Sequence, residues 1–142
     1  MLFRKCAGGV VFYDNLIYLL RNEKDEWVLP KGVIGQGMLS SEVALLRVKT
    51  EAGIEAEILT PAGETSYEFY SQSRQTPVSN DIAWYVMSAK SKEHNANASE
   101  GFREGRYFEI EEAQRTATYS QDKALVRRAY AKLLQCRKKA ET

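Results

Sequence analysis

The most informative part of the chain reads Trp27-Val28-Leu29-Pro30-Lys31-Gly32 and continues, after a fixed gap, with Glu51-Ala52-Gly53-Ile54. Pro30 ends a short strand, and three glycines within residues 31–37 predict a loop. Ser40 is a residue type that caps helix starts, and Gly53 is of the type that ends helices. The sequence therefore predicts a loop-helix-loop module over residues 32–54.

Strand-forming segments lie on both sides of this module. Two of them flank Tyr13-Asp14-Asn15, a good turn sequence, and together predict a hairpin. The predicted strands outside the module are residues 7–12, 16–20, 65–70, 82–87 and 106–110. Polar residues over 71–81 and 89–101 predict two long connecting loops.

The C-terminal region has the periodicity of an amphipathic helix over about residues 120–138. Apolar residues recur at Leu125, Val126, Ala129 and Leu133, with basic residues on the opposite side. This order of elements predicts an α+β fold with a mixed β-sheet sandwiched between helices (α/β/α). With no repeat and no linker, residues 1–142 are expected to form one domain.

Composition restricts the classes of partner. The chain has 142 residues, 44% of them hydrophobic, and a formal charge of +1, so its overall field recruits neither nucleic acid nor an acidic membrane. No apolar run approaches the roughly 20 residues that span a bilayer, which predicts a cytoplasmic protein. Two distant cysteines fit neither a disulfide framework nor metal-ligand spacing. Oligomerisation is left open.

The loop-helix-loop module resembles the Nudix box of the Nudix hydrolase family. That box reads Gly, five residues, Glu, seven residues, then Arg-Glu-U-x-Glu-Glu-x-Gly-U, where U is a bulky aliphatic residue. Aligned from Gly32, the sequence keeps Gly32, Val48, Glu51, Gly53 and Ile54. It departs at Met38 and Arg47 in place of glutamates, at Leu46 in place of the arginine, and at Thr50 in place of the first glutamate of the final pair.

The resemblance implies a fold, a substrate class and a metal. The Leu-Pro-Lys-Gly segment and the Lys123-Ala124-Leu125 helix look most like the dinucleoside-tetraphosphate hydrolase and diphosphoinositol-polyphosphate branch. The family implies Mg²⁺- or Mn²⁺-dependent hydrolysis of a nucleoside diphosphate linked to another moiety, for example a dinucleoside polyphosphate. By resemblance, Glu51 is the catalytic residue, and Gly32, Glu51 and either Glu100 or Glu104 would hold the metal.

The changes within the box predict that hydrolysis is weak or lost. Positions 47, 50 and 51 share one helix face, where the family has three glutamates with a total charge of −3. Arg47, Thr50 and Glu51 sum to zero, and Arg47 is one turn from Glu51, close enough to pair with it. Mg²⁺ or Mn²⁺ is therefore expected if the chain is active, and no metal if it is not. The alternatives are a non-catalytic binder or regulator of a phosphorylated ligand, and a protein-interaction module on the same fold.

What remains still suits a phosphorylated ligand. Arg21, Lys31 and Arg47 are candidate phosphate contacts around a glycine-rich loop, whose backbone N–H groups also favour anions. Tyr70 and Trp84, on the central strands, are candidates for stacking a base. Met38 and Leu46 are expected to pack together in place of the polar pair that the box has at these two positions.

Overall fold

The structure, a computed structural model, describes residues 1–141. These residues form seven strands and three α-helices. The strands are β1 (Leu2–Tyr13), β2 (Leu16–Asn22), β3 (Trp27–Val28), β4 (Lys31–Val33), β5 (Ala56–Ser71), β6 (Thr76–Ala89) and β7 (Phe102–Glu109). The helices are α1 (Ser40–Ala52), α2 (Ile110–Thr116) and α3 (Ser120–Ala140), and a single 3₁₀ turn covers Ala98–Glu100.

The strands make one mixed sheet in the order β3-β2-β1-β6-β5, while β4 pairs with β1 and β7 pairs with β2. The neighbours β1 and β6 run parallel, from the pair Leu2 and Val78 to the pair Phe12 and Ser88. The other pairings are antiparallel. The predicted mixed sheet between helices is confirmed.

Each face of the sheet carries its own apolar core, because residues alternate between the two faces of a strand. One core joins Val10 and Phe12 of β1 to α2 and α3, where Leu125 and Leu133 are buried. The other core contains Val11, which lies between Val10 and Phe12 on β1, and the buried apolar residues of α1. The sheet is thus the middle layer of three, and it positions α1 and α3 on opposite sides.

Several predicted boundaries were wrong. Within the predicted loop 31–37, Lys31–Val33 forms β4, because it pairs with β1 in the register Gly8 to Lys31. The predicted connection 71–81 is a four-residue turn, since β5 and β6 extend to Ser71 and from Thr76. Polar residues of these strand ends are accommodated by hydrogen bonds, as at the buried Asn80, which bonds Arg4 and Tyr67. Ile110 was predicted to end a strand but begins α2.

The ends of α1 follow the prediction at one end only. Gly53 ends the helix in the left-handed conformation, with φ 64°, as predicted. Ser40 is not the cap: Leu39 occupies that position without a side-chain hydrogen bond, and the Ser40 hydroxyl instead bonds the Tyr85 hydroxyl. Met38 and Leu46 are 40% and 50% exposed and belong to neither core, so the expected apolar repacking is wrong.

No helix within residues 1–141 combines the length and the apolarity that a membrane crossing requires.

Candidate functional site

The last turns of α1 and the short strand β4 bring the retained residues of the loop-helix-loop module together. Glu51, on the buried side of α1, is only 6% exposed. Its Oε1 atom accepts a hydrogen bond of 3.3 Å from the backbone N–H of Lys31, the first residue of β4. The pairing of β4 with β1 therefore fixes the glycine-containing strand against the glutamate.

Arg47 connects this glutamate to a second one. Its Nη2 atom donates to Oε2 of Glu51 at 2.6 Å and to Oε2 of Glu100 at 3.2 Å. The same side chain lies flat on Gly32, where a Cβ atom would come within 2.6 Å of Arg47 Cδ. The Nε atom is buried under these contacts and has no hydrogen-bond partner among residues 1–141. Because Gly32 has no side chain, it leaves room for Arg47, whose guanidinium lies between the two carboxylates.

The loop that carries Glu100 is fixed to the end of α1 by Asn97. The Asn97 side-chain amide donates to the carbonyl of Thr50 at 2.9 Å, and its backbone N–H donates to the carbonyl of Glu51 at 3.0 Å. Its side-chain oxygen accepts from Ser99 N–H and so caps the 3₁₀ turn that ends at Glu100. The helix carbonyls left without partners at the C-terminus of α1 thereby orient the second carboxylate.

Burial and the neighbouring charges have opposite effects on the pKa values of Glu51 and Arg47. Burial raises the pKa of Glu51, and the Arg47 guanidinium and the Lys31 N–H offset only part of that effect. For Arg47, burial disfavours the charge, but the hydrogen bonds and charges of Glu51 and Glu100 outweigh it and hold the pKa above its ordinary value. The 2.6 Å contact between Arg47 and Glu51 is a charge-assisted hydrogen bond in a nearly dry environment.

The donor set does not fit a divalent cation. Mg²⁺ needs several oxygen ligands in near-octahedral geometry, and here the two converging carboxylates already bond one guanidinium. Across residues 1–141 there is no group of three or more His, Cys, Asp or Glu side chains placed to hold a metal. The guanidinium of Arg47 therefore occupies the position between the two carboxylates where a metal ion would be expected.

Arg21 and Glu104 lie apart from this cluster and bond each other. Arg21 Nε donates to Glu104 Oε1 at 2.8 Å, and Arg21 Nη1 donates to Asp25 Oδ1 at 2.6 Å. Adjacent strands β2 and β7 place Arg21 directly opposite Glu104. The structure therefore brings Gly32, Arg47, Glu51 and Glu100 together and leaves Glu104 and Arg21 as a separate ion pair.

Lys31 lines a cavity of about 600 Å³ between the sheet and the start of α3. Its ammonium makes no ion pair with the part of the chain that the structure describes, which distinguishes it from Arg21 and Arg47. Trp84 also lines the cavity but is 2% exposed, and its indole N–H donates to Thr65 Oγ1 at 2.8 Å. Tyr70 is 51% exposed and lies outside the lining.

Three residues of the candidate site could not be identified from the sequence. They are Asn97, at the end of α1, and Tyr119 and Asp122, at the cavity. Asn97 is one of several polar residues in a loop, and only the end of α1 gives it a role. Tyr119 and Asp122 stand at the beginning of a predicted packing helix, and both line the cavity. The helix-start pattern Ser120-Gln121-Asp122 locates these residues in the chain, but it does not show which strand they face.

Comparison with known families settles the relationship of the chain. The family model described as NUDIX domain matches residues 2–129. The chain belongs to the NUDIX domain family. Nudix proteins typically use divalent metals on diphosphate-containing nucleotides, so this member combines the family fold with a site in which Arg47 bonds the two converging glutamates.

Solved structures of other Nudix proteins share the fold. An Ap4A hydrolase from C. elegans in a binary complex has a TM-score of 0.70 and 21% identity, over 93% of this chain and 98% of that one. The dihydroneopterin triphosphate pyrophosphohydrolase of E. coli has a TM-score of 0.71 and 12% identity, over 89% and 95%. A NUDIX-family hydrolase from Clostridium perfringens has a TM-score of 0.72 and 14% identity, over 92% and 97%.

Proposed function

We propose that this Nudix protein binds a diphosphate-containing nucleotide through cations of its own chain, and that metal-dependent hydrolysis of the ligand is very weak or lost. The observation that carries the proposal is the guanidinium of Arg47, which bonds both Glu51 and Glu100. A carboxylate already held at 2.6 Å by a guanidinium is a poor ligand for a dication and a poor base for water.

The electrostatics of the site favour an anion over a second cation. A unit charge at about 4 Å from Arg47 interacts with it by about 4 kcal/mol at an effective dielectric of 20, repulsively if it is a cation. Lys31, the first residue of β4, adds a second positive charge on the cavity wall. The diphosphate would contact Lys31 and the exposed part of Arg47, and the nucleoside would enter the cavity.

The first experiment is a thermal-shift titration with ADP, GDP and UDP in EDTA. At a ligand concentration of 100 times Kd, binding to the folded state adds about 2.7 kcal/mol of stability, a shift of several degrees for a domain of this size. Lys31→Ala should weaken binding about tenfold, because one charge-assisted contact to phosphate is lost. Lys49→Ala, an exposed lysine of α1 paired with Glu55, is the matched control.

The second experiment measures Mn²⁺ binding by calorimetry, on the wild-type protein and on the double variant Arg47→Glu with Thr50→Glu. The wild type should bind no more tightly than millimolar, and the variant, with three carboxylates on one helix face, should gain affinity. Mn²⁺-dependent release of a mononucleotide from diadenosine tetraphosphate by the wild type, abolished by Glu51→Gln, would instead make the protein a hydrolase with a rebuilt metal site. No stabilisation by any diphosphate would leave the interaction-module alternative.

A further inference from the structure

The 600 Å³ cavity beside Lys31 has aromatic side chains on part of its wall. Tyr67 and Phe69 of β5 stack on each other with ring centroids 5.9 Å apart, and both line the cavity together with Tyr119 and the buried Trp84. Flat aromatic side chains on a cavity of this volume suit a planar heterocycle, because base stacking on such side chains is favourable for any base. The aromatic side chains therefore favour binding of a nucleobase but do not discriminate between the bases.

The side of the cavity formed by α3 is fixed in place before any ligand arrives. The Gln121 side-chain amide accepts from the backbone N–H of Ser66 at 3.2 Å and donates to the Ser66 carbonyl at 2.7 Å. The Tyr119 hydroxyl donates to Glu26, whose carboxylate also accepts from Asn22 at 3.0 Å. These contacts join the first turn of α3 to β5 and to the β2–β3 turn, and Asp122, the next residue after Gln121, lines the cavity from the same turn.

The Asp122 carboxylate is a buried-side acid of the cavity without a partner. The Asp122 side chain is half-buried and, within residues 1–141, makes no hydrogen bond and no ion pair, whereas the carboxylate of Glu26 is fully engaged and Glu68 is exposed. Burial raises its pKa, and the nearby positive charge of Lys31 offsets part of this effect. An ionised carboxylate only accepts hydrogen bonds, through two parallel oxygens, so its complement is a pair of adjacent N–H donors.

We propose that this cavity is a base-reading site that selects a guanine-type edge, with Asp122 accepting from a ring N–H and the adjacent amino group while Tyr67, Phe69 and Tyr119 contact the ring. The proposal rests on the proposed function, since the phosphates of the same ligand would lie towards Lys31. A negatively charged side chain on the wall of a phosphate-binding cavity repels the ligand unless the ligand donates hydrogen bonds to it. This makes Asp122 a specificity-determining residue.

The test compares the affinities of GDP, IDP, ADP and UDP in EDTA for the wild type, Asp122→Asn and Glu68→Gln. IDP lacks only the amino group of GDP, so the wild type should bind GDP at least about tenfold more tightly than IDP, and ADP more weakly again. Asp122→Asn should reduce the ratio of GDP to IDP affinity to within about threefold. Glu68→Gln changes an exposed acid of the same cavity and should preserve the ratio.

Because each ratio is measured within one protein, partial unfolding of a variant does not alter it. Equal affinity for GDP and IDP, a preference for ADP or UDP, or an unchanged ratio in Asp122→Asn would each overturn the proposal. Guanosine and adenosine without phosphate separate the two proposals. Guanosine binding without any effect of the diphosphate contradicts the proposed function and supports base reading, and failure of both guanosine and GDP to bind contradicts both.

Discussion

Arg47 occupies a position where the Nudix box has a glutamate. Its side chain is 25% exposed, yet it bonds a glutamate that is almost fully buried. Removing one partner of such a pair leaves an unpaired charge in a buried site, whereas removing both partners leaves no charge there. The stability of the fold should therefore depend on whether these two side chains are replaced singly or together.

A double-mutant cycle should reveal this. Arg47→Met is expected to cost about 3 kcal/mol of unfolding free energy, because Glu51 stays buried without its partner. Arg47→Met combined with Glu51→Leu should recover most of that loss, since two apolar side chains replace the ion pair. Urea denaturation of Arg47→Met, Glu51→Leu and the double variant measures the three free energies. If the double variant is as unstable as the sum of the single ones, Glu51 does not depend on Arg47.

Asp122 should make stability depend on pH in a defined direction. Burial raises its pKa in the folded protein above the ordinary value of 3.8, so protonation favours the folded state. The Asp122 contribution to the stability of the wild type is therefore lost as pH rises from about 4 through the raised pKa, and Asp122→Asn lacks this contribution. The unfolding free energy of the variant minus that of the wild type should increase between about pH 4 and pH 7. A difference that stays constant or shrinks would contradict the assignment, and Glu68→Gln is the control.

At the scale of elements, the end of α1 and the 3₁₀ turn at Ala98–Glu100 act as one unit, connected through Asn97. Asn97→Ala should destabilise the protein by about 1 to 2 kcal/mol, because a helix carbonyl and a turn N–H both lose their partner. Hydrogen exchange should also speed up at Ser99 and the residues that follow. Asn95→Ala is the matched control, since Asn95 uses only its backbone N–H, to the Ala52 carbonyl. Equal effects of the two changes would show that Asn97 has no special role.

The elements also show what could be predicted from the sequence. The module from Gly32 to Gly53 was predictable because its glycines and its helix periodicity are local signals. The strand Lys31–Val33 and the true length of the β5–β6 hairpin were not, because each depends on a pairing with a distant or solvent-facing partner. Pairing of Arg47 with Glu51 was expected from their spacing, and the structure adds Glu100.

The cavity was beyond sequence reasoning for the same reason. Trp84 was a candidate for stacking, and the structure places it at the cavity but 2% exposed. Tyr70 lies outside the cavity lining, whereas Tyr119 and Asp122 belong to it and come from the start of α3, far along the chain from β5. A helix pattern predicts which residues face the core, but it gives no information on which strand they meet.

At the scale of the whole molecule, Gly8 lies where β1, β4 and β6 meet. A Cβ atom there would come within 2.5 Å of both the Pro30 carbonyl oxygen and the Trp84 ring. Because the first of these is backbone, Gly8→Ala should cost about 2 to 3 kcal/mol or more and lower the affinity of the cavity for nucleotides. Gly35→Ala meets only Met38, at an ordinary 3.5 Å, and should leave unfolding and binding unchanged. Calorimetric unfolding of both variants checks this, and equal melting temperatures would refute the packing argument.

The parallel pairing of β1 with β6 has a consequence for how the chain is made. Leu2 pairs with Val78, so 76 further residues must be synthesised after Leu2 before its partner in β6 exists. At about 5 to 20 residues per second on the ribosome, this interval is about 4 to 15 seconds. During that time one edge of the strand containing Ala7-Gly8-Gly9-Val10-Val11-Phe12 is exposed on the nascent chain, with only β2 and β4 on its other side. Protein synthesis, more than the finished fold, is the stage at which this sequence is most exposed to aggregation and to chaperones.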